Sequence, residues 1–259
     1  MGTYAVRDRR VWVTGASAGI GRAVVVELIR RGAVVVASAR NAAALQQLAR
    51  QCAPGRIVVL PLDVTDRQAT MLVAEAIRER LGGLDVGFFN AGTCEYVEIA
   101  RFDSALFERT MRTNFLSVVY GIEVALPLLR AGRHPQLVGM SSTVAYGGLP
   151  RAEAYGASKA AIKYLLESLR IDLQRDGIAV SVVCPGFVRT PLTDRNDFPM
   201  PFRIEAADAA RCIVDGIESG TSEIHFPRRF SWPFKFLTLL PNALYTRLCA
   251  RMVKPAAGP

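Results

Sequence analysis

Histidine is nearly absent from this chain, with two residues, His134 and His225, in 259. Neither sits at metal-ligand spacing, so a zinc centre or a histidine-based triad has almost nothing to be built from. Cysteine is sparse, odd in number and scattered, at Cys52, Cys94, Cys184, Cys212 and Cys249. No pair has redox or zinc-ligand spacing, which points to buried thiols in a reducing compartment. No run of about 20 apolar residues offers a membrane span, and no apolar stretch of signal-peptide length precedes the first strand. The expected location is therefore the cytoplasm. Acidic residues are missing from Phe226 onward, where Arg228, Arg229, Lys235, Arg247, Arg251 and Lys254 stand. Those six account for most of the net charge of +9. No nucleic-acid-binding motif accompanies them, so no nucleic-acid partner is expected.

What is present is a folded globular composition, 51% hydrophobic and 21% charged,. Apolar runs alternate with amphipathic stretches. Strands are predicted at residues 11–14, 34–38, 57–62, 84–90, 136–141, 179–184 and 223–226. Helices are predicted at 20–31, 42–51, 67–81, 104–130, 153–175 and 206–219. Residues 34–38 are almost wholly apolar, as expected of a strand covered on both faces. Repeated strand–helix–strand units force right-handed crossovers and a parallel sheet with helices on both sides. The predicted architecture is thus α/β and doubly wound, Rossmann-like, in one domain (1–229) with a basic, apolar extension (230–259).

The first strand runs into Gly15-Ala16-Ser17-Ala18-Gly19-Ile20-Gly21 and then a helix. Gly15 suits the tight turn, Gly19 lets the backbone approach a pyrophosphate, and Gly21 lets helix and strand pack closely. The helix N-terminus offers N–H groups and a positive dipole end to phosphates. An ordinary tight loop would need the same glycines, but the position at the first strand–helix turn of an alternating chain favours dinucleotide binding. The spacing Gly-x-x-x-Gly-x-Gly resembles that of the short-chain dehydrogenase/reductase family, and the resemblance extends from about residue 10 to residue 226.

A ribose-binding carboxylate is expected at the end of the second strand. That strand ends Ala37-Ser38-Ala39-Arg40, without an acid. Arg40 can pair a 2′-phosphate through its planar fork, with Ser38 adding a hydrogen bond and Arg22 close by in the first helix. The prediction is NADP(H) in preference to NAD(H). Asp63 and Val64 resemble the family's adenine-contacting pair, and Asn90-Ala91-Gly92 its turn after the fourth strand. Phe89 stands where many members have a second asparagine.

Tyr155 and Lys159 open a long predicted helix at i and i+4, on one face. A phenol titrating near ~10 is a poor acid–base catalyst at neutral pH. A neighbouring ammonium favours the phenolate and is expected to lower that value. Ser142 ends the fifth strand, where a hydroxyl can donate to a developing oxyanion. Each residue alone has a bland reading as a surface or turn residue. The family resemblance makes them a unit: Ser142 orients a carbonyl, Tyr155 transfers the proton, and Lys159 also holds the nicotinamide ribose. The same resemblance implies that Asn114 bends its helix and seats a relay water. It also implies that Pro185, Gly186, Val188 and Thr190 lie against the nicotinamide. Paired long helices in such proteins imply a homodimer or homotetramer.

Residues 191–202 carry Pro191, Leu192, Phe198, Pro199, Met200, Pro201 and Phe202, a composition suited to a lid over an apolar pocket. Tyr146 and Leu149 are candidates for the opposite wall. An apolar carbonyl or alcohol is the expected substrate. The extension is aromatic and apolar with interspersed basic residues. It can lie on an anionic membrane surface, cover the protein's own pocket, or form a subunit interface; buried apolar tails being commoner, the last two are slightly favoured. Three activities remain open: carbonyl reduction, alcohol oxidation at the same site, or dinucleotide binding without catalysis. The Ser142, Tyr155 and Lys159 set argues against the third, since a sensor needs no proton-transfer group.

Overall fold

The computed structural model describes residues 4–252. Seven strands form one parallel sheet in the order β3-β2-β1-β4-β5-β6-β7. They are β1 (Arg10–Thr14), β2 (Val34–Ser38), β3 (Ile57–Val59), β4 (Val86–Phe89), β5 (Gln136–Met140), β6 (Ala179–Pro185) and β7 (Glu223–Phe226). The helices are α1 (Gly19–Arg30), α2 (Ala42–Arg50), α3 (Arg67–Leu81), α4 (Ser104–Met111), α5 (Ser117–Arg130), α6 (Glu153–Asp172), α7 (Ala206–Glu218), α8 (Arg228–Leu237) and α9 (Asn242–Ala250). This is the doubly wound parallel architecture expected from the alternation of elements.

Strand alternation divides the core into two layers. Val11 and Val13 of β1 join Val35, Ala37, Val86 and Phe88 on one face, beneath Val24 and Leu28 of α1 and Ile213 and Ile217 of α7. Trp12, Val36 and Phe89 point the other way, toward Ile77 of α3, Ile122 and Leu129 of α5, and Ile162 and Leu166 of α6. Every one of these residues is buried. Chain direction reverses its march across the sheet between β1 and β4. Crevices at the carboxyl ends of strands open at such a switch point.

The predicted helix over 104–130 is in fact interrupted. Residues Arg112–Leu116 form a π-helical turn between α4 and α5. The wider turn is centred on Asn114, whose amide bonds elsewhere, and π-turns of this kind recur at functional sites. The predicted third strand is also shorter than 57–62, because the chain leaves the sheet edge after Val59.

The extension folds back on the domain. Phe230 of α8 lies 5.4 Å from Phe187, and Phe234 lies 6.3 Å from Tyr146, centroid to centroid. A Cβ on Gly186 would stand 2.8 Å from the Phe230 ring, so a larger residue there would push α8 away. Lys235 pairs with Glu223 of β7, which also accepts a hydrogen bond from the Tyr146 hydroxyl. From α9, the Tyr245 hydroxyl donates to the Gly148 carbonyl at 2.7 Å. Lys254, the last of the six tail cations, lies outside the described residues.

Candidate active site

A cleft of about 400 Å³ opens at the switch point, within the range of small-molecule sites,. Its phosphate-side wall is the first turn. Gly15 and Gly19 adopt φ of +67° and +54°, conformations that favour glycine,. No side chain caps α1, whose N-cap is Ala18, and no acid stands in its first turn. Its N–H groups therefore face the cleft lined by Gly15, Ser17, Ala18, Gly19, Ile20 and Gly21,.

The glycine turn is laced to the turn after β4. The Thr14 hydroxyl accepts from the Asn90 and Ala91 N–H groups at 3.0 and 3.2 Å. The Asn90 amide donates back to the Thr14 carbonyl at 3.0 Å and to Gly15 at 3.3 Å. Gly21 fills the remaining gap. A Cβ there would stand 2.3 Å from the Gly15 carbonyl oxygen and 2.4 Å from Asn90 Nδ2. Backbone cannot yield as a flexible side chain can, so Gly21→Ala is expected to cost about 1–3 kcal/mol. A thermal melt should show a loss of several degrees in Tm, together with weaker dinucleotide binding. An unchanged Tm and affinity would show that the turn accommodates a methyl group.

On the adenosine side the cleft is lined by Ala39, Arg40, Asn41, Asp63 and Val64. The Asp63 carboxylate accepts from the N–H and hydroxyl of Thr65 at 2.9 and 2.8 Å. Those bonds, with the nearby Arg40 charge, hold it below the usual carboxylate range. Two expectations fail here. Ser38 does not line the cleft: it is fully buried, and its hydroxyl accepts from Trp12 Nε1 at 3.0 Å. Alternation along β2 turns it inward and leaves Ala39 and Arg40 at the rim. Arg22 is bound to the side chain of Gln51 instead of the cleft.

The opposite end gathers Ser142, Tyr155 and Lys159 with Asn90, Ala91, Gly92, Pro185, Gly186, Val188 and Thr190, all lining the same cleft. Asn114 lies just behind, fully buried. Its Oδ1 accepts from the Thr93 N–H at 2.7 Å, and its Nδ2 donates to the Thr93 carbonyl and the Ser158 hydroxyl, each at 2.9 Å. The Asn114 amide thus clamps the loop after β4 against α6. Gly92 permits this crowding, since a Cβ on it would sit 3.2 Å from Asn114 Oδ1 and 3.3 Å from Lys159 Nζ.

Ser142 hydrogen-bonds the Tyr155 phenol and favours its ionised form. Burial outweighs that bond and pushes the phenol above its ordinary value, with the Cys94 thiol nearby adding to the rise. Lys159 is buried, and burial lowers its ammonium to about 8. Its Nζ donates to the Met140 carbonyl at 2.8 Å and lies 5.7 Å from the Tyr155 ring centroid. The expected lowering of the phenol by Lys159 is therefore not what the protein alone displays. The ammonium is engaged with the backbone, and desolvation governs both groups.

Sequence reasoning missed several residues around this site. Ser158 anchors Asn114 while donating to the Tyr155 carbonyl at 2.7 Å; its place between Tyr155 and Lys159 was the available signal. Tyr96 donates to Asn196 at 2.7 Å and meets the edge of Phe198 at 5.6 Å. Arg151 lies over Tyr96 and pairs with Asp197 at 2.9 Å. These contacts fasten the segment after Thr190, whose Pro191 and Leu192 line the cleft. Nothing in the local sequence marks Tyr96 or Arg151. Tyr146 turns from the catalytic cleft toward α8 and Glu223.

A family model described as short chain dehydrogenase matches residues 9–198. The chain belongs to this family. A Myxococcus xanthus protein called an uncharacterized oxidoreductase is 36% identical over 246 residues, covering 94% of this chain and 97% of the relative. 11-beta-hydroxysteroid dehydrogenase A of Sesamum indicum is 34% identical over 192 residues, covering 73% of this chain and 55% of that protein. Among solved structures, the Pseudomonas aeruginosa RhlG/NADP active-site complex superposes with a TM-score of 0.79 at 25% identity. That match covers 89% of this chain and 100% of the other. This short-chain dehydrogenase is thus an oxidoreductase with the dinucleotide-binding fold of its family.

Proposed function

We propose that the protein is an NADP(H)-dependent enzyme that interconverts a ketone or aldehyde with the corresponding alcohol, acting on a hydrophobic substrate. The observation that carries this reading is the convergence of Ser142, Tyr155 and Lys159 at the far end of a cleft whose near end is a glycine-lined, uncapped helix N-terminus. The cradle fits a dinucleotide: small residues line it, backbone N–H groups face it, and Arg40 stands at the rim where a 2′-phosphate would be met. On this reading Gly15, Ser17, Ala18, Gly19, Ile20 and Gly21 hold the pyrophosphate. Asp63 and Val64 flank the adenine, and Asn90, Ala91, Gly92, Pro185, Gly186, Val188 and Thr190 enclose the nicotinamide end.

A bound nicotinamide supplies the hydride to the carbonyl carbon, or takes it from the alcohol. The Ser142 hydroxyl donates a hydrogen bond to the substrate oxygen and orients it. As negative charge develops there, the Tyr155 hydroxyl gives up its proton to that oxygen, yielding the alcohol. The Lys159 ammonium stabilises the phenolate left behind, and Asn114 keeps the loop after β4 and α6 in register. Oxidation runs the same steps backward. Leu192 and the residues fastened to Tyr96 cover an apolar substrate. The enzyme is expected to work in the cytoplasm as a homodimer or homotetramer.

The test is direct: titrate the protein with NADPH by fluorescence, then follow NADPH consumption over a panel of hydrophobic ketones and aldehydes. Tight binding with no turnover on any of them would instead indicate a dinucleotide-binding regulator. The pH profile is a second check. Lys159 carries its charge below about 8 and loses it above, while the phenol stays protonated to higher pH. For reduction, kcat/KM is therefore expected to fall as pH rises through about 8. A profile flat well beyond that point would separate Lys159 from the proton-transfer step.

A further inference from the structure

The extension has two faces of opposite character. Its inner face, with Phe230, Ser231, Phe234, Tyr245 and Cys249, closes on the domain. Trp232 and Phe236 on the outer face of α8, and Leu239 in the turn after it, are 47%, 63% and 78% exposed. The i, i+4 spacing puts Trp232 and Phe236 on one side of α8, and Leu239 follows in the next turn,. The Trp232 and Phe236 rings stack at 6.0 Å. Arg228 and Arg229 are exposed at the head of the same helix, and α9 continues with exposed Leu244 and Arg247, with exposed Arg251 just past its end. Such exposure is concentrated and not scattered: among the described residues, five of the fifteen large exposed apolar side chains lie between Trp232 and Met252. Single exposed apolar residues need no explanation, but a contiguous set beside uncompensated cations does.

We propose that the outer face of α8, extended by α9, docks on the surface of an anionic lipid bilayer. Charge decides for this partner. Among the described residues, none of Arg228, Arg229, Arg247 and Arg251 enters an ion pair with an acid. Glu223, the acid that meets α8, is held by Lys235 and Tyr146. A second copy of the chain fits poorly. A two-fold contact through this stripe would present the same acid-free, arginine-bearing patch from the other copy and supply no countercharge. Phosphate headgroups instead meet the guanidinium forks, while Trp232, Phe236 and Leu239 enter the acyl boundary. Tryptophan, with an apolar body and one N–H, suits that boundary. No helix of the described residues is long and apolar enough to cross a membrane, so the segment lies on the surface. The patch also reaches the substrate lid, because Arg229 sits 5.0 Å over the ring of Phe202, itself 47% exposed.

The full-length protein should sediment with phosphatidylcholine vesicles that contain phosphatidylglycerol, and not with phosphatidylcholine alone. Raising the salt should weaken the association. The chain has only two tryptophans, and Trp12 is fully buried in the core. Any blue shift on adding vesicles therefore reports Trp232, and brominated acyl chains should quench it in the unaltered protein. Replacing Arg228, Arg247 and Arg251 together by Gln should lower partitioning on the order of 100-fold, about a factor of five for each cation. All three are exposed and outside the catalytic cleft, so activity on a water-soluble carbonyl should stay the same. Absence of sedimentation with unchanged Trp232 emission would overturn the proposal. So would a dimer in sedimentation velocity that Trp232→Ser dissociates, without vesicle binding.

Discussion

Tyr155→Phe is expected to reduce kcat on the order of 10²–10⁴-fold while leaving NADPH affinity almost unchanged. The substitution removes one oxygen and keeps the ring. The ring lines the cleft between the loop after β4 and the start of β6's following turn, so the walls of the dinucleotide site stay in place. On the proposed mechanism, what disappears is the hydroxyl that exchanges a proton with the substrate oxygen. His134 and His225 cannot replace it, since neither lines the cleft. At 1.36 kcal/mol per decade, the loss amounts to about 3–5 kcal/mol of transition-state stabilisation. The folded state should lose much less, because the phenol's hydrogen-bond partner is the partly accessible Ser142. The measurement pairs single-turnover kinetics with an NADPH binding titration and a thermal melt. A variant that binds NADPH normally and turns over like the parent would remove Tyr155 from the chemistry. A variant that loses binding and turnover together would make the residue structural.

Much of this arrangement was legible because the physics is local. The Val34–Ser38 run announces a strand covered on both faces, and the glycine spacing announces a turn before a helix. Tyr155 and Lys159 share a face by helical periodicity alone. The parts that were not legible depend on long-range packing. Residues 104–130 read as one helix from their apolar periodicity; the π-turn comes with the long-range partners of Asn114, Thr93 and the buried Ser158. Ser38 looked available at a strand end, yet strand alternation turns it toward Trp12. Burial, which the sequence does not display, pushes the Lys159 ammonium down and the Tyr155 phenol up, the latter opposite to the lowering expected from their pairing. The lid's fastening through Tyr96 and Arg151 joins segments roughly 50 to 100 positions apart,. The extension's inward face likewise depends on Gly186 and Phe187, far away in sequence.

Arg40→Ala should weaken NADPH about 10–100-fold and leave NADH nearly unaffected. A charged hydrogen-bonded contact to a phosphate contributes about 1.5–3 kcal/mol, and only NADPH has the 2′-phosphate to receive it. Arg40 is at the solvent-exposed rim, which favours the lower part of that range through screening. A second effect acts in the same direction. Asp63 faces the same part of the cleft, and its carboxylate is stabilised partly by the Arg40 charge. Without the guanidinium, that negative charge stands opposite the 2′-phosphate with nothing between to offset it. NADPH thus loses an attraction and gains a repulsion, whereas the 2′-hydroxyl of NADH experiences neither. Raising the ionic strength should shrink the difference between parent and variant, because both terms are coulombic and close to solvent. Dissociation constants for the two coenzymes, measured by fluorescence titration at low and high salt, provide the check. Equal weakening of NADPH and NADH would mean that Arg40 supports the rim generally and that coenzyme choice is made by other residues.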